Sequence, residues 1–203
     1  MVIILANGAF PTNPQLLKML KEATTIICCD GAVENLLFFG KEPDFIVGDL
    51  DSIHPITEKR FFDRIIHISE QESNDLTKAV NFCKSRGYNH ISILGATGKR
   101  PDHTLGNISL LAEYINIVDD VRMYDDFGVF TAIKQSTKFN CLPGQVVSVF
   151  SLTPETPISY KFLEYPIEKR PLTSWWQGTL NRSLSTEFEI IFSEGKVIVF
   201  QGF

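Results

Sequence analysis

The segment "FIVGDLDSI", Phe45 to Ile53, carries an apolar run into Gly48 and then into two aspartates, Asp49 and Asp51, with only Leu50 between them. Two like charges 4 Å apart repel by roughly 4 kcal/mol at an effective dielectric near 20, so a cation or a proton must accompany such a pair. Polar residues follow four other apolar runs: Asn7 and Gly8 after "VIIL", Asp30 and Gly31 after "TIICC", Asp75 at the end of "EQESND", and Arg100 with Asp102 in "GATGKRPDH". Several acids together with Lys78, Lys99 and Arg100 are the composition of a magnesium–phosphate site. Mg²⁺ takes carboxylate and phosphate oxygens, and lysine and arginine clamp a transferring phosphoryl group.

The elements that must position these residues alternate. "VIILA", "TIICCD", "FIVGD", "RIIHIS", "HISILG" and "VRMYDD" are short β-rich runs. Between them lie helical stretches: "NPQLLKMLKEA" with Asn13 as cap and Pro14 in the first turn, "GAVENLLFFG" ending on Gly40, a short polar helix over residues 56–64, "SNDLTKAVNFCKSRG", and "TLGNISLLAEYI". Strand and helix at this spacing predict a doubly wound parallel sheet, whose ligands bind beyond the carboxyl ends of the strands. After about Asp126 short β-type runs broken by Pro, Gly and Ser take over, and "EIIFSEGKVIVF" reads as a hairpin turning at Ser193, Glu194 and Gly195. The expected organisation is an α/β domain over residues 1–126 and a small all-β sandwich domain over 127–203.

Most of the polar positions have a purely structural alternative. Ser73 or Asn74 would cap the next helix with Asp75 in its first turn, Asp102 would cap the helix after it, and Asp30 would serve a turn before Gly31. The Asp49/Asp51 pair resists this treatment, because turns seldom need two acids at i and i+2.

Composition narrows the classes. The chain has 203 residues, a formal charge of −5 and a pI near 5.4, without a basic stripe, which argues against a general nucleic-acid binder. No apolar run is long enough to span a bilayer, and "MVIILANGAF" has no basic leader and reads as a first strand, so a cytoplasmic location is expected. Cys28, Cys29, Cys83 and Cys141 show no metal-ligand spacing and suit small apolar fillers. "GATGKR" is not a phosphate-binding Walker loop, since Ile93 stands where the first glycine belongs and Arg100 replaces Ser/Thr. Of the four histidines, only His103 adjoins a candidate residue, Asp102.

The blocks "CCDGA", "GDLDS", "ESNDLTKA" and "GATGKRPDHTLGN", in this order and spacing, resemble the thiamin pyrophosphokinase family, and the resemblance runs over almost the whole chain. It implies an α/β catalytic domain followed by a β-sandwich domain, and transfer of a pyrophosphoryl group from ATP to the hydroxyl of thiamin, giving thiamin diphosphate and AMP. It also implies Mg²⁺ and a homodimer with thiamin at the subunit interface. By the same resemblance Asp49, Asp51, Asp75 and Asp102 are the metal and catalytic acids, and Arg100 faces the phosphates. Thr77 and Lys78 lie in a "DxTK"-like helix start; with Asn7, Gly8, Asp30, Gly31 and Arg100 they are expected to bind the nucleotide. Gln71 falls near the thiamin. "SLSTEF" resembles the family's "GISNEF", which puts Ser183 and Ser185 at thiamin-contact positions. Two residues depart from the pattern: Asn74 stands where a threonine is usual, and Thr186 where an asparagine is usual.

Three other readings start from the same residues. "DLDSI" also resembles the DxDx[TV] start of haloacid-dehalogenase-type phosphatases, whose first aspartate is a covalent nucleophile; there the motif normally follows the first strand and ends in Thr or Val, not Ser52. A pyrophosphokinase acting on another alcohol, such as a hydroxymethylpterin, would use the same acids. A nucleotide-binding sensor would bind ATP without turnover. Trp175 and Trp176 suit either ring stacking on a substrate or packing, with packing favoured for at least one of them.

Overall fold

The structure, a computed structural model, describes residues 1–203 and forms two compact units, residues 1–126 and 127–203. In the first unit the strands β1 (Val2–Leu5), β2 (Thr25–Cys29), β3 (Phe45–Gly48), β4 (Ile65–His67), β5 (His90–Leu94) and β6 (Asp120–Asp125) alternate with helices α1 (Pro14–Glu22), α2 (Ala32–Phe38), α3 (Pro55–Arg60), α4 (Asp75–Ser85) and α5 (Pro101–Tyr114). All neighbouring strands in this unit pair in parallel, in the order β6-β5-β1-β2-β3-β4. Their central residues (Ile3, Ile4, Ile27, Ile46, Val47, Ile93) are fully buried. Continuous apolar strands of this kind are what a parallel sheet covered on both faces requires. The chain winds outward from β1 to β4, then returns to β5 on the other side of β1. The switch point therefore lies between β1 and β5, where open sheets of this class bind ligands.

The helices begin and stop for local reasons. Asn13 Oδ1 accepts the Gln15 amide with Pro14 at the first helical position, and Asn74 Oδ1 does the same for Thr77 at the start of α4. Gly40 and Gly87 follow α2 and α4 with left-handed backbone, φ +86° and +78°. The expected helix over residues 56–64 divides: α3 ends at Arg60 and Phe62–Arg64 form one tight 3₁₀ turn. Helix α5 starts earlier than its apolar stripe, at Pro101, whose fixed φ suits a first turn. Asp102 is thus inside the first turn and Arg100 occupies the cap position.

The second unit contains two four-stranded sheets built from β7 (Gly128–Ile133), β8 (Thr137–Asn140), β9 (Val146–Ser151), β10 (Pro157–Lys161), β11 (Arg170–Pro171), β12 (Asn181–Arg182), β13 (Glu187–Ile191) and β14 (Val197–Gly202). One sheet takes β12-β9-β14-β7, the other β11-β10-β13-β8. The expected hairpin does not exist: β13 pairs with β8 and β10, while β14 pairs with β7 and β9. Phe188 and Ile190 of β13 and Val197 and Val199 of β14 belong to one buried cluster. The two strands therefore oppose each other across the sandwich, and the turn at Ser193–Gly195 crosses between sheets. Phe139 stacks on Phe188 in this core at 5.0 Å between ring centres. Trp175 packs edge-on against Phe150 and donates its Nε1–H to the Ser151 carbonyl at 3.2 Å, whereas Trp176 is 74% exposed.

One group in this core is unsatisfied. The Tyr160 hydroxyl is buried without a hydrogen-bond partner, and burial pushes its ionisation well above the usual tyrosine range. An unpaired buried hydroxyl costs about 1–3 kcal/mol. Tyr160→Phe is expected to raise unfolding stability by about 1 kcal/mol, read as a higher urea midpoint at unchanged slope; a lower midpoint would show that the hydroxyl is bonded.

Candidate active site

A cleft of about 680 Å³ opens at the carboxyl ends of the parallel strands. The loops after β1 and β5 are drawn together at its floor: Gly8 N donates to Gly95 O at 2.6 Å and Ala9 N to Thr97 O at 2.8 Å. A Cβ on Gly8 would sit 2.4 Å from both the Gly95 and Thr97 carbonyl oxygens, so this approach requires glycine there.

Adjacent strands β2 and β3 deliver the acids. Asp30, just past β2, and Asp49 and Asp51, just past β3, have carboxylate oxygens all within 4.8 Å of one another. Two backbone features bring them together. Leu50 adopts left-handed backbone at φ 70°, which turns the chain sharply between Asp49 and Asp51, and Asp30 is itself left-handed at φ 41°. Such conformations cost roughly 1–2 kcal/mol in a non-glycine residue and collect at functional sites. Gly48 leaves room beside them: a Cβ on it would lie 3.0 Å from the Asp30 Cβ and 3.3 Å from an Asp75 carboxylate oxygen.

The hydrogen bonds leave a gap that a cation suits. Asp30 Oδ2 accepts the Ser52 amide at 2.9 Å, but its Oδ1 is buried and accepts nothing. Burial, the Asp51 carboxylate and the nearby Asp75 charge push the Asp30 carboxyl up to about 6, opposed by the Ser52 amide. Asp49 is held below the usual carboxylate range, chiefly by the Gln71 side-chain amide, which donates to its Oδ2 at 3.0 Å. Ser52 Oγ donates to Asp51 Oδ1 at 2.7 Å. An all-carboxylate set with an unpaired buried oxygen fits a hard divalent cation such as Mg²⁺.

Basic residues line the same cleft. Lys78, one turn into α4, is 3% exposed and its Nζ lies 3.2 Å from Asp75 Oδ1. Lys99 Nζ donates to Asn7 Oδ1 at 3.2 Å. Arg100 forms a two-point pair with Asp102, Nε to Oδ1 at 3.1 Å and Nη2 to Oδ2 at 2.5 Å, and this holds the Asp102 carboxyl down at about 2.

Of the residues singled out from sequence, Asn7, Gly8, Asp30, Asp49, Asp51, Gln71, Asp75, Lys78 and Arg100 line this cleft. Gly31, Thr77 and Asp102 do not: Gly31 backs onto Ser52, Thr77 Oγ1 meets the buried Tyr114 hydroxyl at 2.8 Å, and Asp102 is engaged by Arg100. Asp30 rather than Asp75 or Asp102 completes the tight acid cluster. Ser183 and Ser185 belong to the second unit, where the Ser183 hydroxyl donates to the Leu142 carbonyl and the Ser185 carbonyl faces the Cys141 thiol. Thr97, Thr104 and Asn107 also line the cleft; they stand in the block "GATGKRPDHTLGN" but were not singled out within it. Cys29 lines it too, but burial raises its thiol far above the usual range, which leaves it unreactive.

A switch-point cleft that sets carboxylates against lysines and an arginine is the architecture of nucleotide- and phosphate-handling α/β proteins. A family model described as thiamin pyrophosphokinase, catalytic domain, matches residues 16–123, and a second, thiamin pyrophosphokinase, substrate-binding domain, matches residues 128–200. The chain belongs to the thiamin pyrophosphokinase family. It is 32% identical over 127 residues to the thiamine pyrophosphokinase of Bacillus subtilis, covering 60% of this chain and 59% of that protein. It is 28% identical over 116 residues to thiamin pyrophosphokinase 1 of Caenorhabditis elegans, covering 53% of this chain and 47% of that protein. These matches thus span only about half the length of the curated relatives. The fold matches the crystal structure of the Bacillus subtilis thiamine pyrophosphokinase with TM-score 0.82 at 23% identity, over 100% of this chain and 99% of that one. It matches the yeast thiamin pyrophosphokinase with TM-score 0.81 at 19% identity, over 100% and 86%.

The Asp30 carboxyl gives a pH test of the cation site. Its folded-state value of about 6 lies above the ordinary 3.8, so protonation favours the cation-free native chain below about 6 and ionisation costs it stability above. A bound cation reverses that, and must displace the proton when pH is low. The rise in melting temperature on adding Mg²⁺ is therefore expected to be large near pH 8 and to fade towards pH 5. The fading should be absent in Asp30→Asn; a pH-independent rise in the parent would place the cation elsewhere.

Proposed function

We propose that this chain is a Mg²⁺-dependent kinase that transfers the pyrophosphoryl group of ATP to the hydroxyl of thiamin, releasing AMP. The observation that carries this reading is the clustering of Asp30, Asp49 and Asp51 in one cleft with Lys78, Lys99 and Arg100, in a member of this family. Both halves of the chain match domains of the same family, which favours thiamin over a pterin alcohol as acceptor. The acids follow β3, not β1, which weighs against a phosphatase of the haloacid-dehalogenase type.

Asp49 and Asp51, with Asp30, would hold the Mg²⁺. When bound, it supplies charge neutralisation to the ATP phosphates. Transfer of this kind rests on positioning and electrostatics and needs no covalent nucleophile. Lys99 and Arg100 take the negative charge that develops on the transferring group and on departing AMP. Lys78, buried beside Asp75 with its Nζ 3.2 Å from Oδ1, orients that carboxylate. Asp75 is the better acceptor for the thiamin hydroxyl proton, because Asp102, held at about 2 by Arg100, is too acidic for the task. Gln71 and the second-unit residues Ser183 and Ser185 would contact the acceptor, in a homodimer that sets the second domain of one subunit against the cleft of the other.

Purified protein given ATP, Mg²⁺ and thiamin is expected to form AMP and thiamin diphosphate in equal amounts. Thiamin-independent release of inorganic phosphate would defeat the proposal, as would ATP binding without turnover. Asp49→Asn is expected to lower kcat at least about a hundredfold while keeping the parental circular dichroism spectrum; retained activity would remove Asp49 from the site.

A further inference from the structure

Two residues that line the cleft are neither acid nor base. Asn74 Oδ1 accepts the Thr77 amide at 2.9 Å, and its Nδ2 donates to Asn107 Oδ1 at 3.2 Å. Asn107 Nδ2 in turn donates to the Ala96 carbonyl at 2.8 Å. A side-chain amide accepts at one end and donates at the other, so the three bonds run in one sense. Neither amide can turn over without facing donor to donor or acceptor to acceptor.

The chain of bonds joins three pieces of backbone: the first turn of α4, the second turn of α5, and the residue pair just past β5. The first turn of α4 carries Asp75 and Lys78. The segment past β5 carries Lys99 and Arg100, and is tied on its other side to the loop after β1 through Gly8 and Ala9. The helices themselves are joined independently of this bridge, because Thr77 and Tyr114 bond at 2.8 Å beneath it. The bridge therefore adds little to holding α4 against α5. What it sets is the spacing between the acid-bearing wall and the cation-bearing wall of the cleft.

We infer that Asn74 and Asn107 are positioning residues, which hold the wall carrying Asp75 and Lys78 in register with the wall carrying Lys99 and Arg100. A triphosphate spanning both walls is thereby kept in line for transfer. The inference rests on the proposed function for its catalytic readout. A displacement of about 1 Å at a reacting centre costs about a hundredfold in rate, far more than it costs in binding, so the signature is a loss in kcat with little change in KM.

Asn74→Ser separates this role from a structural one. Serine still caps α4 but offers no donor that reaches Asn107, while Asn107→Ala removes the bridge from the other side. Asn74→Ser is expected to melt within about 2 °C of the parent, to lose about tenfold or more in kcat for thiamin diphosphate formation, and to shift KM for ATP by less than about threefold. Calorimetric binding of a non-hydrolysable ATP analogue with Mg²⁺ should weaken about two- to threefold in each single variant. The double variant should be no worse than Asn107→Ala in either measurement, because both changes break the same link. Parental kcat in Asn74→Ser overturns the inference, and so do losses that multiply in the double variant. If the parent makes no thiamin diphosphate, the proposed function fails and the analogue affinities alone decide the bridge. Matching losses in both single variants and the double then uphold it; parental affinities or multiplied losses overturn it.

Discussion

Three carboxylates with oxygens within 4.8 Å of one another, one of them buried with an unpaired oxygen, are the constraint around which the carboxyl edge of the parallel sheet is organised. At such separations like charges repel, and the repulsion falls most heavily on Asp30, the buried member of the three. The surrounding structure manages that repulsion without abolishing it. The Ser52 amide and hydroxyl, the Gln71 amide and the nearby Lys78 ammonium each take a share. The remainder appears as an aspartic acid half-neutralised near pH 6. A site left in this condition suits a divalent cation, and Lys99 and Arg100, which line the same cleft, suit the anion that such a cation accompanies.

Part of this site was legible in the sequence for a simple reason. An apolar strand that runs into two acids one residue apart has few structural uses, and the same logic reached Asn7, Asp30, Asp75 and Arg100 at other strand ends. Which of those ends would meet was not legible, because it depends on strand order. Asp30 joins Asp49 and Asp51 because β2 and β3 are neighbours; Asp102 follows β5, with β1 and β2 between it and β3. Asp102 is also drawn away by Arg100, two residues earlier, a pairing whose geometry depends on where α5 starts. Asn107 was not singled out for a different reason: although it closes the block "GATGKRPDHTLGN", within a helix it looks like any polar position, and only its partners give it a role.

The fold shows the same division. Alternating strands and helices with apolar runs predict a parallel sheet because only that arrangement buries both faces of each strand. Apolar β-type composition correctly marks β13 and β14 as strands of the second unit, with burial alternating along β13 and continuous over Val197, Ile198 and Val199 of β14. It cannot tell a partner in the same sheet from a partner across the core, since both place Phe188, Ile190, Val197 and Val199 in contact with apolar neighbours. A three-residue turn with Gly195 at φ +98° serves either connection.

Leu50 ties the polar and apolar parts of the first unit together. Its left-handed backbone sets the angle between two acids, and its side chain packs against the cluster that includes Ile53, Phe61 and Leu36. The interior thus acts as the jig in which the charged groups are gauged. A methylene trimmed from Ile53 or Phe61 relaxes that jig and is felt in the spacing of the carboxylates that Leu50 separates. Such a lesion would present as a polar defect at the surface although its origin lies among hydrocarbon groups that never meet a ligand.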